Sequence, residues 1–201
     1  MGQDKGLLPH PHAGSWLEYG LELLEELRTP ITLFTGHLPF PNGCGAGEAA
    51  RLAGAAGAPA GSPPHEGPLL ALAKLMRHHP DQIMLLCPVD MPWLDRGSLR
   101  TLPASTTTAI RDTTLPSAGA GIRIAHDGQR HQPLLGHYPS DARDRDVLLA
   151  ATVAGERSLQ RWIAAMGHQD VGLAPAAIAN ANMPPAAARL WQTPEWDPVE
   201  P

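Results

Sequence analysis

The chain has 201 residues, 43% of them hydrophobic and 17% charged, with a formal net charge of -5; it is long enough for one domain with a real core. No basic stripe runs through it, which argues against a dedicated nucleic-acid binder, since such binders displace counterions with clustered Lys and Arg. The two cysteines, Cys44 and Cys87, lack metal-ligand spacing, and there is neither a signal peptide nor a long apolar span, so a cytoplasmic protein off the membrane is expected.

The first residues, Met1-Gly2-Gln3-Asp4-Lys5-Gly6-Leu7-Leu8, are polar. Lys5 beside Gly6 can place an ammonium on a phosphate, or the terminus is simply solvated. Ser15 with Glu18 three residues on has the form of a capping box. Trp16, Leu17, Leu21, Leu24 and Leu27 then give one apolar helix face, closed by Pro30. Ile31 to Thr35 is short and β-branched, a strand. From Gly36 to Glu66 Gly, Ala and Pro dominate, with a short helix expected over Glu48 to Ala56. Gly67-Pro68 opens a helix over Leu69 to His79, with Leu69, Leu72, Ala73 and Met76 on one face. His78-His79 suits the negative end of its dipole, or offers a weak start to a metal site.

The next stretch organises the rest. Ile83-Met84-Leu85-Leu86-Cys87-Pro88-Val89 is an apolar run that stops at Asp90 and turns at Pro92. Such a run reads as a buried strand of a parallel sheet, with Cys87 packed as a small hydrophobe. Asp90 then stands just past the carboxyl end of the strand, where open α/β sheets bind ligands. A carboxylate there either holds a hard cation such as Mg²⁺ against phosphate or caps the next turn.

Beyond it, a short helix is expected over Asp95 to Leu102, and strands over Thr106 to Ile110, Gly121 to His126 and Gln132 to Tyr138. Asp127-Gly128 lies between the last two, which predicts a tight antiparallel hairpin. Helices follow over Asp141 to Val153, with Val147, Leu148 and Ala151 buried, and over Ser158 to Met166. Gln169 to Leu173 is a weak edge strand. Residues 1–188 read as a single domain, and residues 189–201 as a Pro-rich C-terminal tail on the surface.

Several of these segments together resemble one family. The opening eight residues look like the second half of a nucleotidyltransferase signature, in which a Gly-rich loop leads into Arg-Met-Gly and Asp-Lys-Gly. Gly67-Pro68-Leu69 and Cys87-Pro88-Val89-Asp90-Met91-Pro92 resemble its Gly-Pro-Leu helix start and its Asp-Met-Pro metal motif. His126-Asp127-Gly128-Gln129-Arg130-His131-Gln132-Pro133-Leu134 is similar to a segment of the molybdenum cofactor guanylyltransferases, the MobA family. Gly155-Glu156-Arg157-Ser158 and Asn180-Ala181-Asn182-Met183-Pro184 match its later elements.

The resemblance implies a three-layer α/β/α Rossmann-like nucleotidyltransferase fold, with a mostly parallel sheet and an antiparallel hairpin. It implies GMP transfer from GTP to molybdopterin-bound molybdenum cofactor, giving the guanine dinucleotide cofactor and pyrophosphate. Asp90 would hold Mg²⁺ and Lys5 would contact the triphosphate. Asn180, Asn182, Arg130, Gln132 and Arg157 would line the acceptor side, with molybdoenzymes or their chaperones downstream. Asn180 also reads as a turn residue, and Arg130 as a solvated hairpin charge.

The strand and Leu-Ala-Gly-Gly loop that open the signature lie before Met1, so the fold is expected to be N-terminally truncated and to bind GTP poorly. No Asn stands in Phe34-Thr35-Gly36-His37, and Ala58 to Gly61 lack the family's acidic residue. Three readings therefore stay open: a guanylyltransferase, a relative using CTP or a sugar phosphate, and a non-catalytic domain that holds the molybdenum cofactor or pairs with an intact subunit.

Overall fold

The computed structural model describes residues 5–35, 50–53, 67–102 and 121–181. The expected strand over Thr106 to Ile110, the C-terminal tail, Met1 to Asp4 and Asn182 lie outside them.

Helix α1 (Trp16–Glu25) starts where the capping box predicts, with the Ser15 hydroxyl accepting the Glu18 N–H at 3.2 Å. It ends before Pro30, in a turn where Arg28 takes a left-handed backbone with φ of 53°. Strand β1 (Thr32–Thr35) pairs in parallel with β2 (Ala50–Ala53). The helix expected over Glu48 to Ala56 is thus a strand at its centre. Alanine's helical preference is weak against the ladder that β1 offers. Helix α2 (Gly67–His78) follows, and His79 beyond its end bonds the Thr32 hydroxyl at 3.1 Å, tying α2 to β1.

A four-stranded sheet in the order β3-β5-β4-β6 forms the centre. Strand β3 (Ile83–Leu86) runs antiparallel to β5 (His131–Pro139), β5 antiparallel to β4 (Arg123–His126), and β4 parallel to β6 (Gln169–Gly172). So β3, β4 and β6 point the same way and β5 opposes them. The expectation for β3 needs correction on two counts. Its hydrogen-bonded partner is antiparallel, and it is half-buried at one edge of this sheet rather than sealed on both faces. The β4–β5 connection is a four-residue loop, Asp127 to Arg130, not a two-residue turn. Asp127 closes it by accepting the backbone N–H groups of Gln129 and Arg130 at 2.8 and 2.6 Å, and Gly128 takes φ of 93°.

Because side chains alternate across a strand, the sheet builds two cores. Ile124, Tyr138, Met84 and Leu86 meet α2, α4 (Ala142–Val153) and α5 (Leu159–Met166) on one face. Ala125, Leu135, Leu85 and Val171 meet α1 and α3 (Arg96–Thr101) on the other. Helices on both faces make three layers. On α4, Leu148 and Thr152, one turn apart, are buried, while Val147 is 40% exposed because it lies a hundred-degree step off that stripe. Cys87 packs as expected, and burial pushes its thiol up to about 12.

Candidate active site at the carboxyl edge

Parallel β3, β4 and β6 deliver their carboxyl ends to one edge of the sheet. Asp90 stands beyond β3, the Asp127–Arg130 loop beyond β4, and the segment bearing Asn180 beyond β6. Gln132, at the start of antiparallel β5, reaches the same edge. Topology alone thus gathers four of the sequence candidates.

Packing brings Lys5 to them. A third, smaller core joins Trp16 and Leu8 to Trp93, Ala179 and Ala181. It clamps the N-terminal segment, the loop after Asp90 and the segment before Asn182 against one another. Lys5 lies in a 3-10 turn (Lys5–Leu7), and its ammonium meets Asp90 Oδ2 at 2.9 Å, with both side chains about a third exposed. Asp90 is fixed from behind, since its carbonyl accepts the Ala181 N–H at 2.9 Å. One residue back, the Asn180 amide donates to Gln132 Oε1 at 3.2 Å. Lys5, Asp90, Asn180 and Gln132 therefore form one connected cluster, made of residues from four separate stretches of chain.

His10 has no counterpart in the sequence reading, yet it holds this arrangement. Its Nε2–H donates to the Pro92 carbonyl at 2.9 Å while its Nδ1 accepts the His12 N–H at 3.2 Å, so both ring nitrogens are used. The ring stacks on Tyr19 at 3.8 Å, and the Tyr19 hydroxyl donates to the Leu94 carbonyl. Burial lowers the pKa of His10, so the ring stays neutral and acts as a strut between the Lys5 segment and the Asp90 loop. The Pro-His-Pro-His run around it carries no pattern that separates a strut from a surface histidine.

The arginines stand apart from the cluster. Arg130 sits in the exposed hairpin loop, where its backbone N–H serves the Asp127 carboxylate. Arg157 bends onto its own loop and donates to the carbonyls of Thr152 and Glu156 at 2.9 and 2.7 Å. The neighbouring Glu156 carboxylate is held down at about 2 by the Arg161 guanidinium and the backbone N–H groups of Ser158 and Arg157. Gly155 to Ser158 is thus a tightly bonded joint between α4 and α5, beside the start of α2.

A half-buried carboxylate with one oxygen taken by an ammonium, at the edge of a sheet, keeps an oxygen for a metal. This donor set fits Mg²⁺, which binds through one or two carboxylates and takes its other ligands from water and phosphate.

Comparison with known proteins gives the family and the fold. A model of MobA-like NTP transferase domains matches residues 1–171. A probable molybdenum cofactor guanylyltransferase of Rhodopirellula baltica is 27% identical over 194 residues, covering 92% of this chain and 82% of that protein. A molybdenum cofactor guanylyltransferase of a Shewanella species is 29% identical over 126 residues, and this chain spans 58% of its length. Among solved structures, molybdopterin-guanine dinucleotide biosynthesis protein A of Archaeoglobus fulgidus matches with a TM-score of 0.65 at 16% identity, over 94% of this chain and 89% of that one. The 2-C-methyl-D-erythritol 4-phosphate cytidylyltransferase of Thermus thermophilus matches with a TM-score of 0.60 at 16% identity, over 94% and 95%. The fold is the Rossmann-like α/β fold of nucleotidyltransferases.

Proposed function

The chain belongs to the family of MobA-like NTP transferase domains, and on that premise we propose that it transfers GMP from GTP to the molybdopterin-bound molybdenum cofactor. The observation that carries this reading is the single cluster at the carboxyl edge, a charged Lys5–Asp90 pair joined to an amide pair, Gln132–Asn180. The names of the relatives support the choice of substrates.

In this reading the terminal phosphate of the acceptor attacks the α-phosphorus of GTP. A new P–O bond forms to that phosphate, the bond to the β-phosphate oxygen breaks, and pyrophosphate leaves with the electron pair. Lys5 places its ammonium against the triphosphate as a point charge. Asp90 would hold Mg²⁺, which when bound would supply neutralisation of the phosphate oxygens. Gln132 and Asn180 present amide donors and acceptors to the pterin and its phosphate, and their mutual bond sets which way each amide faces. Asn182, Arg130 and Arg157 complete the acceptor side in this reading, on the resemblance of their segments to the family's. Catalysis here is mainly positioning and fixed charge, because in-line transfer between phosphates needs little covalent help from a protein.

The test is a substrate panel. The chain is incubated with Mg²⁺, molybdenum cofactor and GTP, CTP or ATP in turn, and the products are weighed by mass spectrometry. The proposal expects guanine dinucleotide cofactor with matching pyrophosphate from GTP. A cytosine dinucleotide product, transfer only to a sugar phosphate, or tight cofactor binding without any transfer would each replace it.

A further inference from the structure

A second cluster of chemistry-bearing side chains stands on the other face of the sheet. His126 ends β4 and His131 begins β5, directly opposed in register. Asp170 in β6 pairs with Ile124, so it shares the face of Ile124 and of His126 two residues on. His168 lies two residues before Asp170. Gln132 faces the opposite side, with Ala125 as its partner.

We infer that His131, His168 and Asp170, with His126 as a weaker fourth donor, bind a divalent transition-metal ion of the zinc class. The three closest donor atoms make a near-equilateral triangle. His131 Nε2 is 2.9 Å from Asp170 Oδ1, His168 Nε2 is 3.3 Å from the same oxygen, and the two imidazole nitrogens are 3.2 Å apart. Tetrahedral ligands about 2.0–2.1 Å from zinc stand roughly 3.3 Å from one another. The triangle is therefore close to one face of such a site before any ion enters. Two imidazole nitrogens converge on one carboxylate oxygen and on each other, the donor set that a single cation of this class takes.

His126 completes the set. Its donor atom, that of His131 and that of Asp170 all lie within 4.8 Å of one another, and its ring tilts against His131 at 4.7 Å between centroids. Its Nδ1 accepts the Gly128 N–H at 3.0 Å, so its Nε2 must shed a proton to bind, which makes it the weakest of the four. The chemistry selects the metal. Imidazole nitrogen suits zinc, copper, nickel and cobalt, while magnesium prefers oxygen. This site is thus distinct from the one at Asp90 in ligand type as well as position. Side-chain exposures of 21% for His168, 40% for His131 and 52% for Asp170 leave an open path for entry. An ion held there would pin the edge strand β6 to the β4–β5 hairpin.

The experiment uses the full chain without a histidine tag, stripped with chelator and kept in excess Mg²⁺. Zn²⁺ is titrated by calorimetry, and Co²⁺ is added separately to record the visible spectrum. The expected result is one Zn²⁺ per chain, a rise in melting temperature, and the strong visible absorption of four-coordinate cobalt. His131→Gln and His168→Gln should each weaken binding at least about tenfold, and His126→Gln by less, with circular dichroism confirming the fold. Failure of the parent chain to bind Zn²⁺ in stoichiometric amount in the presence of Mg²⁺ would overturn the inference. So would unchanged affinity in a folded His131→Gln/His168→Gln double variant. Neither outcome bears on nucleotidyl transfer at Asp90.

Discussion

Lys5 and Asp90 are 85 positions apart and meet at 2.9 Å. They were legible in different degrees. Asp90 announces itself as the carboxylate that ends an apolar run. Lys5 is distinguished from a solvated terminus only by its likeness to a signature, and His10 by nothing at all, because a strut depends on what surrounds it in space. A kinetic split separates the roles of the cluster. Lys5→Ala should raise KM for GTP by about tenfold or more, since a hydrogen bond to a charged group contributes roughly 1.5–3 kcal/mol. Asn180→Ala should leave that KM alone and raise KM for the molybdopterin acceptor several-fold. Steady-state kinetics with each substrate varied in turn checks both.

A second residue-level prediction concerns His137, which is buried opposite Arg123 on the β4–β5 ladder. Burial first, and the Arg123 charge second, lower its pKa from 6.5 to about 4. Between those values the unfolded chain binds a proton that the folded chain refuses, so stability falls as pH drops through that window. The depression corresponds to about 3 kcal/mol at most. Urea unfolding at pH 7 and pH 4.5 should show the loss, and His137→Gln should flatten it.

Among the elements, the helices were the most legible. Ser15, Asp95, Asp141 and Ser158 all cap the helices they precede, each accepting the N–H three residues on. Such caps are local chemistry and are written in adjacent residues. Strand β2 was not legible, because an alanine-rich segment becomes a strand only through its long-range partner β1. Nor was the irregular β4–β5 register, which shifts between Ile124 and Ala125. Gly136 sits at that shift, where a Cβ would come within 2.5 Å of the Arg123 carbonyl oxygen. Gly136→Ala should therefore cost roughly 1–3 kcal/mol, as overpacking against backbone does. Ser15→Ala should cost about 1 kcal/mol by loss of its cap. Denaturant midpoints of the two variants rank them, and a milder effect at Gly136 than at Ser15 would contradict the packing described for β5.

At the scale of the molecule, helix and strand signals pointed to an α/β chain, and the family resemblance implied its three layers and a shared site for Asp90 and Asn180, while the meeting in which Lys5 bonds Asp90 and Asn180 bonds Gln132 was written in neither. That meeting needs the small Trp16–Trp93–Ala181 core, which clamps three distant segments, and only the fold reveals it. The central claim is that this junction is where nucleotidyl transfer happens. Its most direct measurement is the rate of Mg²⁺-dependent pyrophosphate release from GTP with molybdenum cofactor present, for the parent chain and for Asp90→Asn. The substitution keeps the shape of the side chain, including an oxygen for Lys5, and removes the charge that holds the metal. The rate should be at least about a hundredfold lower, equivalent to roughly 2.7 kcal/mol or more, with the melting temperature little changed. Wild-type Mg²⁺-dependent turnover by folded Asp90→Asn would contradict it.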